Sequence, residues 1–244
     1  MKEILLQIAD NRPIAGGVMK MRLEGDCAAI TRPGQFINIK LDGFFLRRPI
    51  SVADWDAGSV TVLYKILGRG TEAMAALREG RLSALTGLGN GFDPDAATEK
   101  PLLIGGGIGA APMLALAKAL LARGLRPQAV LGFNTKDELF YEDKLRALGC
   151  AVTVTTADGS YGLPGFVTEG MKGADYDYFY ACGPEPMLKA VFKESKTAGE
   201  LSFEERMGCG FGACMGCSCE TVTGHKRICK DGPVLRKEEL LWAD

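Results

Sequence analysis

Four cysteines near one end of the chain carry a spacing suited to iron and sulfur. Cys209, Cys214, Cys217 and Cys229 follow the pattern Cys-x4-Cys-x2-Cys-x11-Cys. The first two intervals match the plant-type 2Fe–2S arrangement, in which thiolates hold the cluster. Gly208, Gly210, Gly212 and Gly216 stand among them. Glycine lets a loop wrap a cluster closely and lets amide N–H groups approach the sulfurs. A zinc site is the alternative reading. Zinc commonly takes two Cys-x2-Cys hooks, and this segment offers one. Cys219 falls outside the pattern and is expected on a strand, facing a core. His225 is the only histidine. A Rieske-type centre needs two, which excludes that class for a single chain; His225, in a Thr-Gly-His-Lys turn, is expected to be a solvated loop residue.

Other residues could bind flavin and nucleotide. Arg48-Pro49-Ile50-Ser51 sits at the start of an expected strand. An Arg can pair with a flavin phosphate, and a Ser hydroxyl can reach the isoalloxazine edge. Gly70-Thr71 opens an expected helix, whose free N–H groups and dipole favour a pyrophosphate; an ordinary capped helix is the alternative. Gly105-Gly106-Gly107-Ile108-Gly109 joins a strand to a helix, as does Cys182-Gly183-Pro184-Glu185-Pro186-Met187. Both loops are expected at the carboxyl edge of a parallel sheet, where dinucleotides bind, although Gly-rich turns also occur without ligands.

Three segments must position these residues. Residues 1–97 read as short strands with turn signals and one helix, Thr71 to Glu79, with Thr71 as N-cap. That pattern suggests a small antiparallel β-barrel. Residues 98–200 alternate strand and helix. Strands are expected at Pro101–Ile104, Gln128–Phe133, Ala151–Thr156 and Tyr176–Ala181. Helices are expected at Ala110–Ala122, Tyr141–Leu148 and Pro184–Thr197. This predicts a doubly wound α/β domain with a parallel sheet. Residues 201–244 are rich in Cys and Gly and too few for an independent apolar core, so a metal site is expected to replace one. The fold class is thus α+β and multi-domain: a barrel, a nucleotide domain and a small Cys-rich module.

Composition narrows the function. The 244 residues are 47% hydrophobic and 24% charged, with net charge −1. No basic excess exists for a nucleic-acid backbone. No apolar stretch is long enough to span a bilayer, and the start does not look like a signal peptide, so the cytoplasm is the expected compartment. Five of the eight cysteines fall between Cys209 and Cys229, which favours metal binding over disulfides.

The order Arg-Pro-x-Ser, Gly-Thr, Gly-rich loop, Cys-Gly-Pro-x-Pro-Met resembles the ferredoxin reductase superfamily. The tail is more specific. Glu205-Arg206-Met207-Gly208-Cys209-Gly210, Cys214-Met215-Gly216-Cys217 and Ile228-Cys229-Lys230-Asp231-Gly232-Pro233-Val234 are similar to the electron-transfer subunits of NAD-dependent (type B) dihydroorotate dehydrogenases. The resemblance covers essentially the whole chain.

It implies that Arg48, Pro49, Ile50, Ser51, Leu63, Tyr64, Lys65, Gly70 and Thr71 contact FAD. It implies that Cys209, Cys214, Cys217 and Cys229 ligate a 2Fe–2S cluster. Gly105, Gly106, Gly107, Gly109, Cys182, Gly183, Pro184 and Met187 would receive NAD. Lys65 stands where an Arg is expected, and Lys is a poorer bidentate phosphate partner. The implied partner is an FMN-containing catalytic subunit, in a heterotetramer of two plus two. Electrons from dihydroorotate would pass through the cluster and FAD to NAD, in pyrimidine biosynthesis. The chain has no expected acid–base residue for proton abstraction, and its length leaves no room for a barrel of about 250 residues. The rival within this superfamily is the small subunit of a ferredoxin–NAD(P) oxidoreductase or transhydrogenase. A zinc-stabilised interaction module is the rival from another class.

Overall fold

A computed structural model describes residues 1–242. Ala243 and Asp244, the end of the expected tail module, lie outside the described residues. Six strands come first: β1 (Lys2–Ala15), β2 (Val18–Glu24), β3 (Phe36–Ile39), β4 (Arg48–Trp55), β5 (Ser59–Lys65) and, after helix α1 (Arg69–Ala76), β6 (Arg81–Leu88). They close into an antiparallel barrel in the order β1-β2-β5-β4-β3-β6. Alternation builds it: Ile4, Leu6 and Ile8 of β1 are buried while their neighbours face water. Leu6, Met21, Leu23, Ile37, Ile39, Val52 and Val62 fill the interior.

Thr71 is not the N-cap of α1. The cap is Gly68, and Thr71 is the third helical residue. Its hydroxyl reaches back to accept the amides of Leu67 (2.9 Å) and Gly68 (3.3 Å). The helix also stops before Glu79. The Asn11 amide from β1 takes the carbonyls of Met74 and Leu77, both at 2.8 Å, and Leu77 is extended. A side chain from another element therefore satisfies the last turn.

The second unit alternates as expected. β7 (Pro101–Gly106) leads through a 3-10 turn, Gly107–Ala110, to α2 (Met113–Leu121), so the expected helix starts later than Ala110. Then come β8 (Gln128–Phe133), α3 (Glu142–Ala147), β9 (Ala151–Thr156), β10 (Leu163–Pro164), α4 (Val167–Met171), β11 (Tyr178–Cys182), α5 (Glu185–Glu194) and β12 (Gly199–Ser202). The tail adds the hairpin β13 (Ser218–Thr221) and β14 (Gly224–Arg227), then β15 (Val234–Arg236).

The seven-stranded sheet runs β10-β9-β8-β7-β11-β12-β15. Its pairs are parallel except the last, where β15 joins β12 antiparallel. The sheet is therefore mixed, and its edge comes from the tail. The tail also shares an apolar cluster with the barrel: Phe36, Leu85 and Leu88 pack with Cys217, Ile228, Cys229 and Leu235. On the other side, Val18, Ala53 and Leu63 join the cluster that holds Met113 and Leu114 of α2. The barrel is thus held against both the sheet unit and the tail.

Candidate functional site

A cleft of about 270 Å³ opens where the three segments meet. The barrel supplies Pro49, Ile50 and Ser51 of β4, Leu63, Tyr64 and Lys65 of β5, and Thr71 of α1. Ile108, Gly109 and Cys182 come from the two glycine-bearing loops, and Phe203, Glu204, Glu205, Met207 and Pro233 from the tail. Seven of the nine expected flavin residues therefore line one space. The tail contribution was not expected. Phe203 to Met207 precede the first motif cysteine, and nothing in their types marks them as cleft residues.

The other two expected flavin residues, Arg48 and Gly70, meet at its edge. A Cβ on Gly70 would lie 2.1 Å from Arg48 Nε, so only glycine lets the guanidinium rest on the helix. Arg48 also lies 4.6 Å over the Phe44 ring. A fixed cation beside the first turn of α1 is a cradle for a phosphate group. The residues present therefore fit a flavin dinucleotide. Tyr64 is anchored inside the barrel, its hydroxyl donating to Asn11 Oδ1 at 2.9 Å. Burial pushes its phenol up to about 12, so it does not ionise at neutral pH.

Lys65 ties the barrel to the nucleotide unit. Its ammonium pairs with Glu138 at 2.9 Å, and Glu138 also accepts from the Asn134 side chain at 3.0 Å. Burial raises the Glu138 carboxyl, but these bonds outweigh it and hold it below the usual range. The acidic stretch after β8 thus spends one carboxylate on the barrel.

The two glycine-bearing loops follow β7 and β11. These strands are neighbours, with Gly105 in register with Cys182. The sheet order reverses between them, and that crevice is where such folds bind dinucleotides. A Cβ on Gly109 would lie 2.2 Å from the Cys182 carbonyl oxygen, and one on Gly106 would lie 2.2 Å from Met187 Sδ. Glycine is required for the loops to converge. Burial pushes the Cys182 thiol up to about 12, with Glu204 adding to the shift.

The four motif cysteines form two pairs. Cys214 Sγ accepts the Cys209 amide at 3.4 Å, and Cys217 Sγ accepts the Cys229 amide at 3.4 Å. Cys209 packs against the apolar cluster that holds Cys217 and Cys229, so the pairs are near each other. Among the described residues, no three His, Cys, Asp or Glu side chains converge on a single ion. Two thiolates on each of two irons is the ligation of a 2Fe–2S cluster. The pairs fit it.

Backbone amides prepare the sulfurs. Cys209 Sγ accepts from the amides of Ala213 (3.2 Å), Cys214 (3.4 Å) and Phe211 (3.5 Å). Burial acts to raise this thiol, yet these bonds bring it down to about 6. Arg227 ties the two loops together. It donates to the Gly212 carbonyl at 3.1 Å and to the Asp231 carboxylate at 2.9 Å. The guanidinium holds the Asp231 carboxyl below its ordinary value. Cys219 lies on β13, half-buried against the same apolar cluster, and His225 is exposed on β14.

Comparison with known proteins matches these segments. Residues 204–241 match the family described as the iron–sulfur cluster binding domain of dihydroorotate dehydrogenase B. Residues 103–193 match the oxidoreductase NAD-binding domain. The chain is 43% identical to the dihydroorotate dehydrogenase B (NAD(+)) electron transfer subunit of Lysinibacillus sphaericus, over 95% of this chain and 96% of the relative. It is 42% identical to the same subunit of Fusobacterium nucleatum, over 93% and 94%. Among solved structures it resembles an NADH-dependent reduced ferredoxin-NADP oxidoreductase: TM-score 0.88, 30% identity, 98% of this chain and 90% of that one.

Proposed function

Because this chain belongs to the family of dihydroorotate dehydrogenase B electron-transfer subunits, we propose that its motif cysteines, barrel cleft and paired loops are three stations on one electron path. The chain is an oxidoreductase subunit of pyrimidine biosynthesis, and it works with a catalytic partner subunit. Its cofactors are a 2Fe–2S cluster, FAD and NAD. When bound, the cluster relays single electrons, and the flavin converts between single electrons and the hydride that NAD accepts.

The residues of the chain hold and orient. Cys209, Cys214, Cys217 and Cys229 are assigned to the two irons. Arg48 and the first turn of α1, at Gly70 and Thr71, are assigned to the flavin pyrophosphate. Pro49, Ile50, Ser51, Leu63, Tyr64 and Lys65 are assigned to the walls that position the flavin and exclude water. The Gly105–Gly109 and Cys182–Met187 loops are assigned to NAD. One observation carries this reading: the barrel strands, both loops and the segment entering Cys209 line the same cleft. Phe36 adds to it, since it lines the cleft and packs with Cys217 and Cys229. The partner is read as carrying FMN, two copies of each chain assembling together. The cytoplasm is the proposed compartment, supported by eight free cysteines in a chain whose metal site needs reduced thiols.

Cofactor analysis of the purified chain tests the assignment. It should contain iron, acid-labile sulfide and releasable FAD, and NADH should bleach the flavin. A colourless protein holding zinc would overturn it. NADH oxidation coupled to ferredoxin, with no response to orotate, would favour the ferredoxin-reductase reading that the structural likeness at 30% sequence identity suggests.

A further inference from the structure

Asn38 stands where the barrel meets the cysteine loop. It lies on β3 and is 1% exposed. Its Nδ2 donates to the carbonyl of Cys209 at 3.1 Å. Its Oδ1 is buried and has no hydrogen-bond partner among the described residues. The bond fixes the orientation, because a reversed amide would set two oxygens against each other. The loop is shaped to this side chain. Gly210 has φ +78°, and a Cβ there would lie 2.2 Å from Asn38 Nδ2. On the barrel side, Asn38 is in register with Pro49 of β4, a wall of the cleft. Arg47 steadies the same strand, donating to the Asn38 carbonyl at 3.4 Å and to Ser83 Oγ at 3.2 Å.

A buried amide oxygen without a donor carries an uncompensated desolvation cost. An apolar side chain of similar volume would avoid that cost but would leave the Cys209 carbonyl without this donor, so the asparagine serves the cysteine loop and not the barrel core. We propose that Asn38 is a positioning residue for electron transfer. It pins the Cys209–Gly210 peptide to the strand beside the flavin wall, and so fixes the gap between flavin and cluster. This rests on the cofactor assignment above. Without the bond, the Cys209 carbonyl can turn away from the barrel. Loss of one such hydrogen bond lowers the docking equilibrium constant of the loop by up to about tenfold.

Asn38→Leu and the smaller Asn38→Ala, neither of which can donate to the Cys209 carbonyl, test this in the intact, cofactor-loaded protein. NADH is mixed in anaerobically. Flavin bleaching is followed optically, and cluster reduction is followed by electron paramagnetic resonance of freeze-quenched samples. Both variants should keep their iron, their sulfide and the wild-type rate of flavin bleaching. Cluster reduction should slow in each, by up to about tenfold. Either variant transferring at the wild-type rate with its cluster intact would overturn the proposal. So would iron falling in step with the signal while surviving clusters are reduced at the wild-type rate, since Asn38 would then be a structural staple only. Loss of the cluster from both variants would overturn it as well. A wild-type protein without iron and sulfide would overturn the cofactor reading and this inference together.

Discussion

Cys209 and Cys229 meet iron from opposite starting states. The amides around Cys209 bring its thiol to about 6, so it is largely thiolate at neutral pH. Burial first, then the neighbouring Cys217 thiol, pushes Cys229 up to about 12, so its proton must leave as metal binds. Cys217→Ser should spare NADH reduction of artificial dyes and abolish electron exchange with dihydroorotate. Equal loss of both activities in parallel assays would mean that the cluster serves only the fold. A second residue-scale prediction concerns Glu200, buried on β12, whose Oε2 accepts the Asp93 amide at 2.9 Å. Burial raises its carboxyl to about 7 from an ordinary 4.5. The folded chain then holds a proton that the unfolded chain has released. Stability should therefore fall as pH rises from about 4.5 to about 7 and level off above. Glu200→Gln should remove that slope and gain up to about 3 kcal/mol above pH 7, read from urea unfolding at several pH values.

Elements matter here through how closely they approach. Gly109→Ala would set a methyl against the Cys182 carbonyl and force the loops after β7 and β11 apart. KM for NADH should rise by about tenfold to a hundredfold with flavin content unchanged, measured by steady-state kinetics. Gly70→Ala would displace Arg48 from α1. FAD affinity should drop by about tenfold or more, read by flavin retention on ultrafiltration, because a charge-assisted bond is lost. The cysteine spacing and the glycine loops were legible in the sequence because each is a local pattern with a chemical reason. Strands β8 and β9 were legible too, as apolar and β-branched runs that match the expected ends. The end of α1 was not, because Asn11 on β1 terminates it. α4 has five residues, one of them Gly170, and offers no periodic signal. β15 is three residues long and exists through pairing with β12. The Lys65–Glu138 pair and the Asn38–Cys209 bond were hidden for the same reason: each joins residues distant in the chain.

At the scale of the molecule, the tail is woven into both larger units. β15 extends the nucleotide-binding sheet, while Asn90, just beyond the last barrel strand, donates its backbone amide to the Gly232 carbonyl at 2.7 Å and its side chain to Val234 at 2.7 Å. The cysteine loops are thereby fixed relative to the barrel cleft and the paired loops together. That rigidity suits a relay, which works only while its stations keep their spacing. The most direct test is NADH formation from dihydroorotate and NAD by this chain mixed with an FMN-bearing dihydroorotate dehydrogenase catalytic subunit. NADH should appear only when both chains are present. Equal NADH formation by the catalytic subunit alone, or none from the two cofactor-replete chains together, would contradict the account.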